Sequence, residues 1–577
     1  MYRKTEEYWS KEVGLPIMTP GLVKEAIPKE YDVIVIGAGH NGLTAAAYLA
    51  KAGAKVLVLE KRYETGGAAF TEDFDSPCRY NVHATYMMMA ELMPIHKDFV
   101  ELAQNVTYIR PEVQNAFIYD DGKALVFYTD INKTIKSIEK ISKEDVSAFQ
   151  KMYNEVKLLF DEIILPQTYV PPTPILDLAS KLQKTELGKR LLEISELSPK
   201  ELVESYGFKD PRLNAAVLYL STMWIIDPDA KGIGYLVPLY IYRMMNAALI
   251  RGGTHALPSA LQGIVSSNGG LILENVSIEK IIVEGGIAKG VKLSTGEEFY
   301  GKAIISTLNP QQTFLEYIDR DQVPDDLAKS AEKWTFEEWS LFTSHYSIKP
   351  EPLKYKAAKF NEDVDKALMV VIGYESPEDI TKHIEEVKGG KVPDKIAGHI
   401  TCTTQFDPLQ GAPSMIDPYT RKATPPLHVL RWECWAPYEL NGNAQNWDKV
   451  KFDYAKRFYE GIMKYVANAD KIKVVETYAE SPLDTERRFR TMGRGGIKHG
   501  AYSVFQMGVY RPNYLCSRYR TPIKGLYVGG SSVYPGGMIT AGPGYNVANI
   551  VADDLGLKKW WTPPDYIMKA REKGYVL

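Results

Sequence analysis

The sequence predicts an α/β protein in which one nucleotide-binding sheet is assembled from three separated stretches of chain, with helical and α+β units inserted between them. Three observations predict this. A strand, a glycine-rich turn and a helix follow one another within residues 31–67, a strand-like pattern returns after Arg251, and a last short strand runs into a glycine-opened helix at 525–555. A chain of 577 residues is far longer than one core usually serves, so more than one compact unit is expected.

The first stretch reads YDVIVIGAGHNGLTAAAYLAKAGAKVLVLEKRYETGG. Val33 to Ile36 is an uncharged, β-branched run of the kind buried on both faces of a sheet, and Gly37, Ala38, Gly39, His40, Asn41 and Gly42 follow it directly. Leu43 to Ala52 reads as a helix that Gly53 can end, and Lys55 to Leu59 as a second buried strand closing on Glu60. In this Rossmann-like order Gly37 allows the tight turn, Gly39 lets backbone approach a pyrophosphate, and Gly42 lets helix and strand pack closely. The phosphates then meet free N–H groups at the positive helix end. Glu60 stands 18 residues beyond Gly42 (60 − 42), where a carboxylate can accept from ribose hydroxyls. Lys61 follows it, and the paired Gly66 and Gly67 bring backbone close to the same ligand.

A formal net charge of −3 and a pI near 6.4 exclude the basic footprint of a nucleic-acid binder. MYRKTEEYWSKEVGLP mixes charges and lacks the apolar core of a secretory signal. Cys78, Cys402, Cys434 and Cys516 stand far apart without CxxC spacing, so they read as buried thiols in a reducing cytoplasm. Leu213 to Ile226 and Gly232 to Tyr242 are apolar, but each is too short to cross a bilayer. They read as buried helices, with a membrane-dipping surface or channel wall as the functional alternative.

In chain order, residues 1–28 form an irregular arm and 29–90 open the nucleotide-binding domain. Within it, residues 80–86 carry the polar and aromatic candidates His83 and Tyr86 beside Met87 to Met89. Residues 91–250 read as a mainly helical insertion. There Ser142 to Leu165 is periodic, Ser142 and Asp145 resemble a capping box, and the Pro-rich 166–174 ends the helix. Residues 251–310 return to the sheet: a helix over 256–267, strands at Leu271 to Leu273, Ser277 to Glu284 and Gly301 to Ser306, and glycine turns between them. Residues 311–514 form an α+β insertion with strand-like pieces at Trp339 to Ile348, Ala367 to Gly373 and His399 to Thr404. A sheet roofed by helices suits a bulky apolar ligand. Residues 515–560 complete the nucleotide-binding domain, with 561–577 as a terminal arm. In that last piece Gly542, Pro543 and Gly544 open a helix whose N-terminal end favours an anion.

The opening motif, RGGTHALPSAL with GVKLSTGEEFYGKAIISTLNP, and GLYVGGSSVYPGGMITAGPGYNVANIVADDLG together resemble the phytoene desaturase-like flavoproteins. That group includes carotenoid desaturases and isomerases, retinol saturase and pyridine nucleotide-disulphide oxidoreductase domain-containing protein 2. The stretch SPLDTERRFRTMGRGGIKHGAYSVFQMGVYRP is most similar to the last of these. The resemblance implies an FAD-binding domain of the glutathione reductase/amine oxidase type with an inserted substrate domain. It places Gly37, Gly39, Asn41 and Gly42 at the pyrophosphate, Glu60 and Lys61 at the adenosine end, and Gly66 and Gly67 beside the diphosphate. Val276 and Ser277 would lie near the adenine, and Gly530, Met538, Ile539 and Ala541 near the isoalloxazine.

Flavin accepts hydride at N5, so a lipophilic substrate needs positioning and an acceptor for a second proton. His83, Tyr86, His499 and Tyr502 are the candidate acceptors. The expected function is an FAD-dependent oxidoreductase that forms or saturates a carbon–carbon double bond in an isoprenoid-like or alicyclic substrate. A redox-neutral isomerase and a non-catalytic binding protein are the alternatives. The electron acceptor (quinone, oxygen or a protein carrier), the oligomeric state and peripheral membrane contact stay open. No metal site is expected.

Overall fold

The computed structural model describes residues 27–416 and 419–576. The expected arm at 1–28 therefore lies outside the described residues, apart from its last two. The chain opens with β1 (Glu30–Ile36), α1 (His40–Lys51) and β2 (Val56–Leu59). Beyond Asp32 every residue of both strands is buried, which is why neither alternates polar with apolar.

The chain then leaves for β3 (Val113–Ile118), β4 (Ala124–Tyr128) and the helices α2 (Val146–Leu159), α3 (Pro211–Thr222) and α4 (Val237–Met244). It returns through α5 (Ala256–Ser267), β5 (Leu271–Leu273), β6 (Ile278–Glu284), β7 (Ile287–Leu293) and β8 (Glu298–Ser306). A second excursion holds β9 (Trp339–Lys349), β10 (Met369–Ile372), β11 (Gly398–Cys402), β12 (His428–Pro437), α6 (Asn446–Met463) and β13 (Lys473–Glu480). β14 (Leu526–Val528), α7 (Gly542–Asp554) and α8 (Asp565–Glu572) close the chain.

Seven strands make the first sheet, in the order β6-β7-β8-β1-β2-β5 with β14 paired to β8. β8 is its pivot. Residues Glu298 to Tyr300 pair antiparallel with β7, while Ile304 to Ser306 lie parallel between β1 and β14. Three distant stretches of chain thus meet on one strand.

The second sheet runs β13-β9-β12-β11-β10-β3-β4. Within the first insertion, whose residues are mainly helical, β3 and β4 form a hairpin at the edge of this sheet, with Ala116 opposite Val370. Both strands are buried throughout, and a short continuous apolar run carries no period that separates strand from helix. One face of this sheet packs Phe342, Trp432, Trp447 and Phe458 with α6. The alternate positions place His345, His399, Arg431 and Glu433, all buried, on the other.

The helix expected over Ser142 to Leu165 begins at Val146, without the capping box. Asp145 instead accepts the N–H groups of Lys209 and Asp210, at 2.6 and 2.9 Å, bracing a distant turn. The helical path ends at Thr168, inside the Pro-rich 166–174 segment. A π-helical turn (Phe160–Ile164) leads into a last turn (Leu165–Thr168), and Pro166 stands at that turn's start, where its missing N–H matters little. The apolar runs at α3 and α4 are core helices, and no helix among the described residues is long and apolar enough to cross a membrane. The segment expected as a C-terminal arm is docked: Trp561 Nε1 donates to Asn549 Oδ1 at 3.1 Å and Tyr566 donates to the Leu92 carbonyl at 3.0 Å. All four cysteines are buried free thiols.

α1 and α7 cross where Gly544 meets the Asn41 carbonyl, and a Cβ there would lie 2.3 Å from that oxygen. Gly544→Ala is therefore expected to cost about 1–3 kcal/mol by overpacking, read as a lower midpoint of thermal unfolding. An unchanged midpoint would show that the crossing has slack.

Candidate functional site

The carboxyl ends of β1, β2 and β5 open into a cavity of about 2740 Å³. A pocket for one small molecule is usually about 300–1,000 Å³, so this one has room for two occupants.

At one end the cavity is a backbone cradle. Gly37 has φ +95°, and a Cβ on Gly42 would lie 2.0 Å from the Gly37 carbonyl oxygen. Gly39 and Gly67 face each other, and a Cβ on Gly67 would come within 3.1 Å of the Gly39 Cα. Gly66 does not line the cavity; its N–H donates to the Ala38 carbonyl at 2.8 Å and so holds the loop down. No side chain caps the start of α1, and its first N–H groups are left for a ligand.

Glu60 fastens the cradle. Its Oε2 accepts the Ala38 N–H at 2.7 Å and its Oε1 accepts that of Arg62 at 2.9 Å, while burial pushes its carboxyl pKa up. Each oxygen keeps lone-pair capacity for a further donor. The Val276 N–H donates to the Glu60 carbonyl at 2.9 Å, and Lys61, Val276 and Ser277 extend the wall from there.

Beside the cradle, the wall continues with His40, Asn41, His499, Gly530 and Ser531. Asn41 Nδ2 donates to Ser531 Oγ at 3.2 Å, but Asn41 Oδ1, His40 Nε2 and His499 Nδ1 are buried without partners. Burial takes His40 down to about 4 and His499 to about 3, so both rings are neutral. Met538 (φ +83°), Ile539 and Ala541 (φ +56°) form the loop into α7 rather than the cavity lining. The Met538 carbonyl meets the His40 ring, and Ala541 leaves the N-terminal end of α7 without a side-chain cap. Glycines that a Cβ would close and orphaned polar atoms beside them fit a dinucleotide cofactor.

The four acceptor candidates separate. His499 lines the cavity. His83 Nε2 is paired with Glu480 Oε1 at 2.8 Å and its ring packs on Phe70 and Phe489, one layer behind the lining. Tyr86 is tied to Thr401, and the Tyr502 hydroxyl donates to the Gly537 carbonyl at 3.5 Å. The sequence alone singles out neither the His40 ring nor Ser531. His40 stands inside the glycine motif, where a polar ring at a variable position is the signal that attention to the glycines passes over.

Residues 35–101 match the model of an NAD(P)-binding Rossmann-like domain. A limonene dehydrogenase subunit from Castellaniella defragrans is 43% identical over 559 residues, covering 95% of this chain and 99% of the relative. The chain belongs to its family, the phytoene desaturase-like FAD-dependent oxidoreductases. Pyridine nucleotide-disulfide oxidoreductase domain-containing protein 2 of Rattus norvegicus is 28% identical, covering 91% of this chain and 94% of its own. Among solved structures, cyclohexylamine oxidase of Brevibacterium oxydans superposes with a TM-score of 0.54 at 14% identity, over 92% of this chain and all of that one, which shows a shared fold.

The cofactor of this flavoprotein is FAD, and the non-catalytic alternative gives way to an enzyme. The geometry of the cradle suits a diphosphate, and Glu60 stands where the adenosine half of such a cofactor would lie. Because hydrogen bonds to a charged group contribute about 1.5–3 kcal/mol, Glu60→Ala should weaken FAD binding about 10- to 100-fold, measured by fluorescence titration of the apoprotein. Wild-type affinity in that variant would remove Glu60 from the site.

Proposed function

We propose that the flavoprotein dehydrogenates a CH–CH bond of a lipophilic, alicyclic or isoprenoid-like substrate. The observation that carries this reading is the continuity of the cavity: the dinucleotide cradle runs without a wall into a chamber bounded by Leu308, Phe489 and Met492. The activity of the Castellaniella relative, dehydrogenation of limonene, supports it, since limonene is a cyclic hydrocarbon with no ionisable group.

Bound FAD supplies a hydride acceptor at N5. The protein's share is to hold one C–H against that atom, exclude water, and accept the proton of the neighbouring C–H as the double bond forms. His499 is suited to that proton: its Nδ1 is buried without a partner, its ring is neutral and its backbone is fixed at φ +58°. A weak acceptor suffices, because loss of hydride leaves the adjacent C–H strongly acidic. His83 supports the wall through Phe489 and Glu480 rather than touching the substrate. The electrons then pass to a quinone, oxygen or a protein carrier. That the relative is one subunit of its dehydrogenase supports the carrier. Uptake of the substrate from a membrane surface belongs to the same proposal.

The test is anaerobic mixing of the FAD-loaded enzyme with terpenoid and alicyclic compounds. Bleaching of the flavin with appearance of the unsaturated product is expected, and His499→Ala should keep its FAD while bleaching about 10²- to 10⁴-fold more slowly. Product formed only after prior reduction, with no net electron use, would replace dehydrogenation by double-bond isomerisation.

A further inference from the structure

Two buried cations lie just behind the cofactor end of the cavity and have no task in the site as described. Lys498 and Arg511 are both fully inaccessible. Lys498 Nζ donates to the Ile225 carbonyl at 2.6 Å and sits 4.6 Å above the Tyr502 ring. Arg511 Nη2 donates to the carbonyls of Lys498 and Ser531, at 2.7 and 3.0 Å, and Nη1 to those of Gly500 and Gln506, both at 3.3 Å. Its plane lies over Trp334 and Tyr502, and its Nε has no partner. Every oxygen that receives these donors is a backbone carbonyl.

One carboxylate serves the two charges. Glu337 Oε1 accepts the backbone N–H of Lys498 at 3.2 Å, Oε2 is buried without a partner, and neither cation forms a carboxylate ion pair among the described residues. The hydroxyls of Tyr235, Tyr240 and Tyr502 around them are held neutral by burial. Two positive groups against one negative leave a net positive charge in a water-free interior, where an unpaired ion costs several kcal/mol. That burial takes the Lys498 ammonium down to about 7, with Glu337 opposing the fall and Arg511 adding to it.

The unbalanced charge has an address. Ser531, whose carbonyl Arg511 holds, lines the cavity beside Gly530, and a Cβ on Gly537 would lie 2.7 Å from the Lys498 Cα. The pair therefore backs the loop that also leads into the positive end of α7. We propose that Lys498 and Arg511 form a buried cationic pair that stabilises the negative charge of reduced FAD, and so sets the cofactor's reduction potential. They act through space from behind the wall, as positioning charges. A carbonyl such as that of Ile225 needs only a donor; an ammonium in its place needs an anion as well, and two-electron reduction supplies one. The inference rests on the FAD site and not on the identity of the substrate.

The test is a spectroelectrochemical titration of the FAD-loaded full-length enzyme without substrate, about one pH unit below the Lys498 value so that the ammonium is protonated. Lys498→Met should shift the oxidised–reduced equilibrium about tenfold toward the oxidised form, a fall of about 30 mV for a two-electron couple. Lys498→Arg should retain the wild-type potential. If Lys498→Met does not hold FAD, Lys498→Gln, which keeps a donor for the Ile225 carbonyl, decides. A wild-type potential in the neutral variant overturns the proposal, and so does an equal fall in Lys498→Arg, since the effect would then follow side-chain shape and not charge. With no substrate present, either result leaves the dehydrogenation reading untouched.

Discussion

Everything functional in this molecule depends on how closely two pieces of backbone approach each other. Gly39 and Gly67 face each other so closely that a Cβ on Gly67 would crowd the Gly39 Cα, and Glu60 locks the approach by taking one N–H from each of the segments that flank it. The carboxylate is thus both a wall of the site and the fastening of the turn. Burial makes it dependent on those two donors, so cofactor geometry and local folding are one property.

From this cradle the rest follows in layers. α1 carries the free N–H groups and is packed by α7, whose own start has no side-chain cap. The second sheet supplies the remaining enclosure. Its outer face is an ordinary aromatic core, while its inner face buries Arg431, Glu433, His345 and His399, held by ion pairing and a few hydrogen bonds. The cavity is thus backed by a polar layer one residue deeper, as at His83 and Glu480, whose ion pair is shielded from water.

What is legible in the sequence is what is local. The glycine turn, β1, β2, α5 and α7 are each written within about a dozen residues, and their bounds fall within a few positions of those the residue pattern predicts. A capping pattern misreads Asp145 because its partners, Lys209 and Asp210, lie more than sixty positions away, beyond what such a pattern can encode. The hairpin of β3 and β4 escapes for a different reason, since both strands are short, continuously buried runs without a period that separates strand from helix. The standing of the four acceptor candidates is also illegible, since Tyr86 and His83 are removed from the cavity by Thr401 and Glu480, which belong to the other insertion. His40 is in plain view, yet only the fold shows that its Nε2 is left without a partner.

That hairpin has a further consequence for how the chain is made. Asn115 of β3 pairs with Met369 of β10, 254 positions later (369 − 115). At about 5–20 residues per second, ribosomal synthesis leaves β3 roughly 13–50 s without its sheet neighbour. During that interval the hairpin's apolar surface depends on nearer segments. The Gln114 and Asn115 side chains already bond the backbone at 244–247, with the Asn115 amide reaching the Met244 carbonyl at 2.8 Å and the Ala247 N–H reaching Gln114 Oε1 at 2.8 Å. In the folded protein, then, this strand is bonded to residues 244–247, which leave the ribosome well before β10 does.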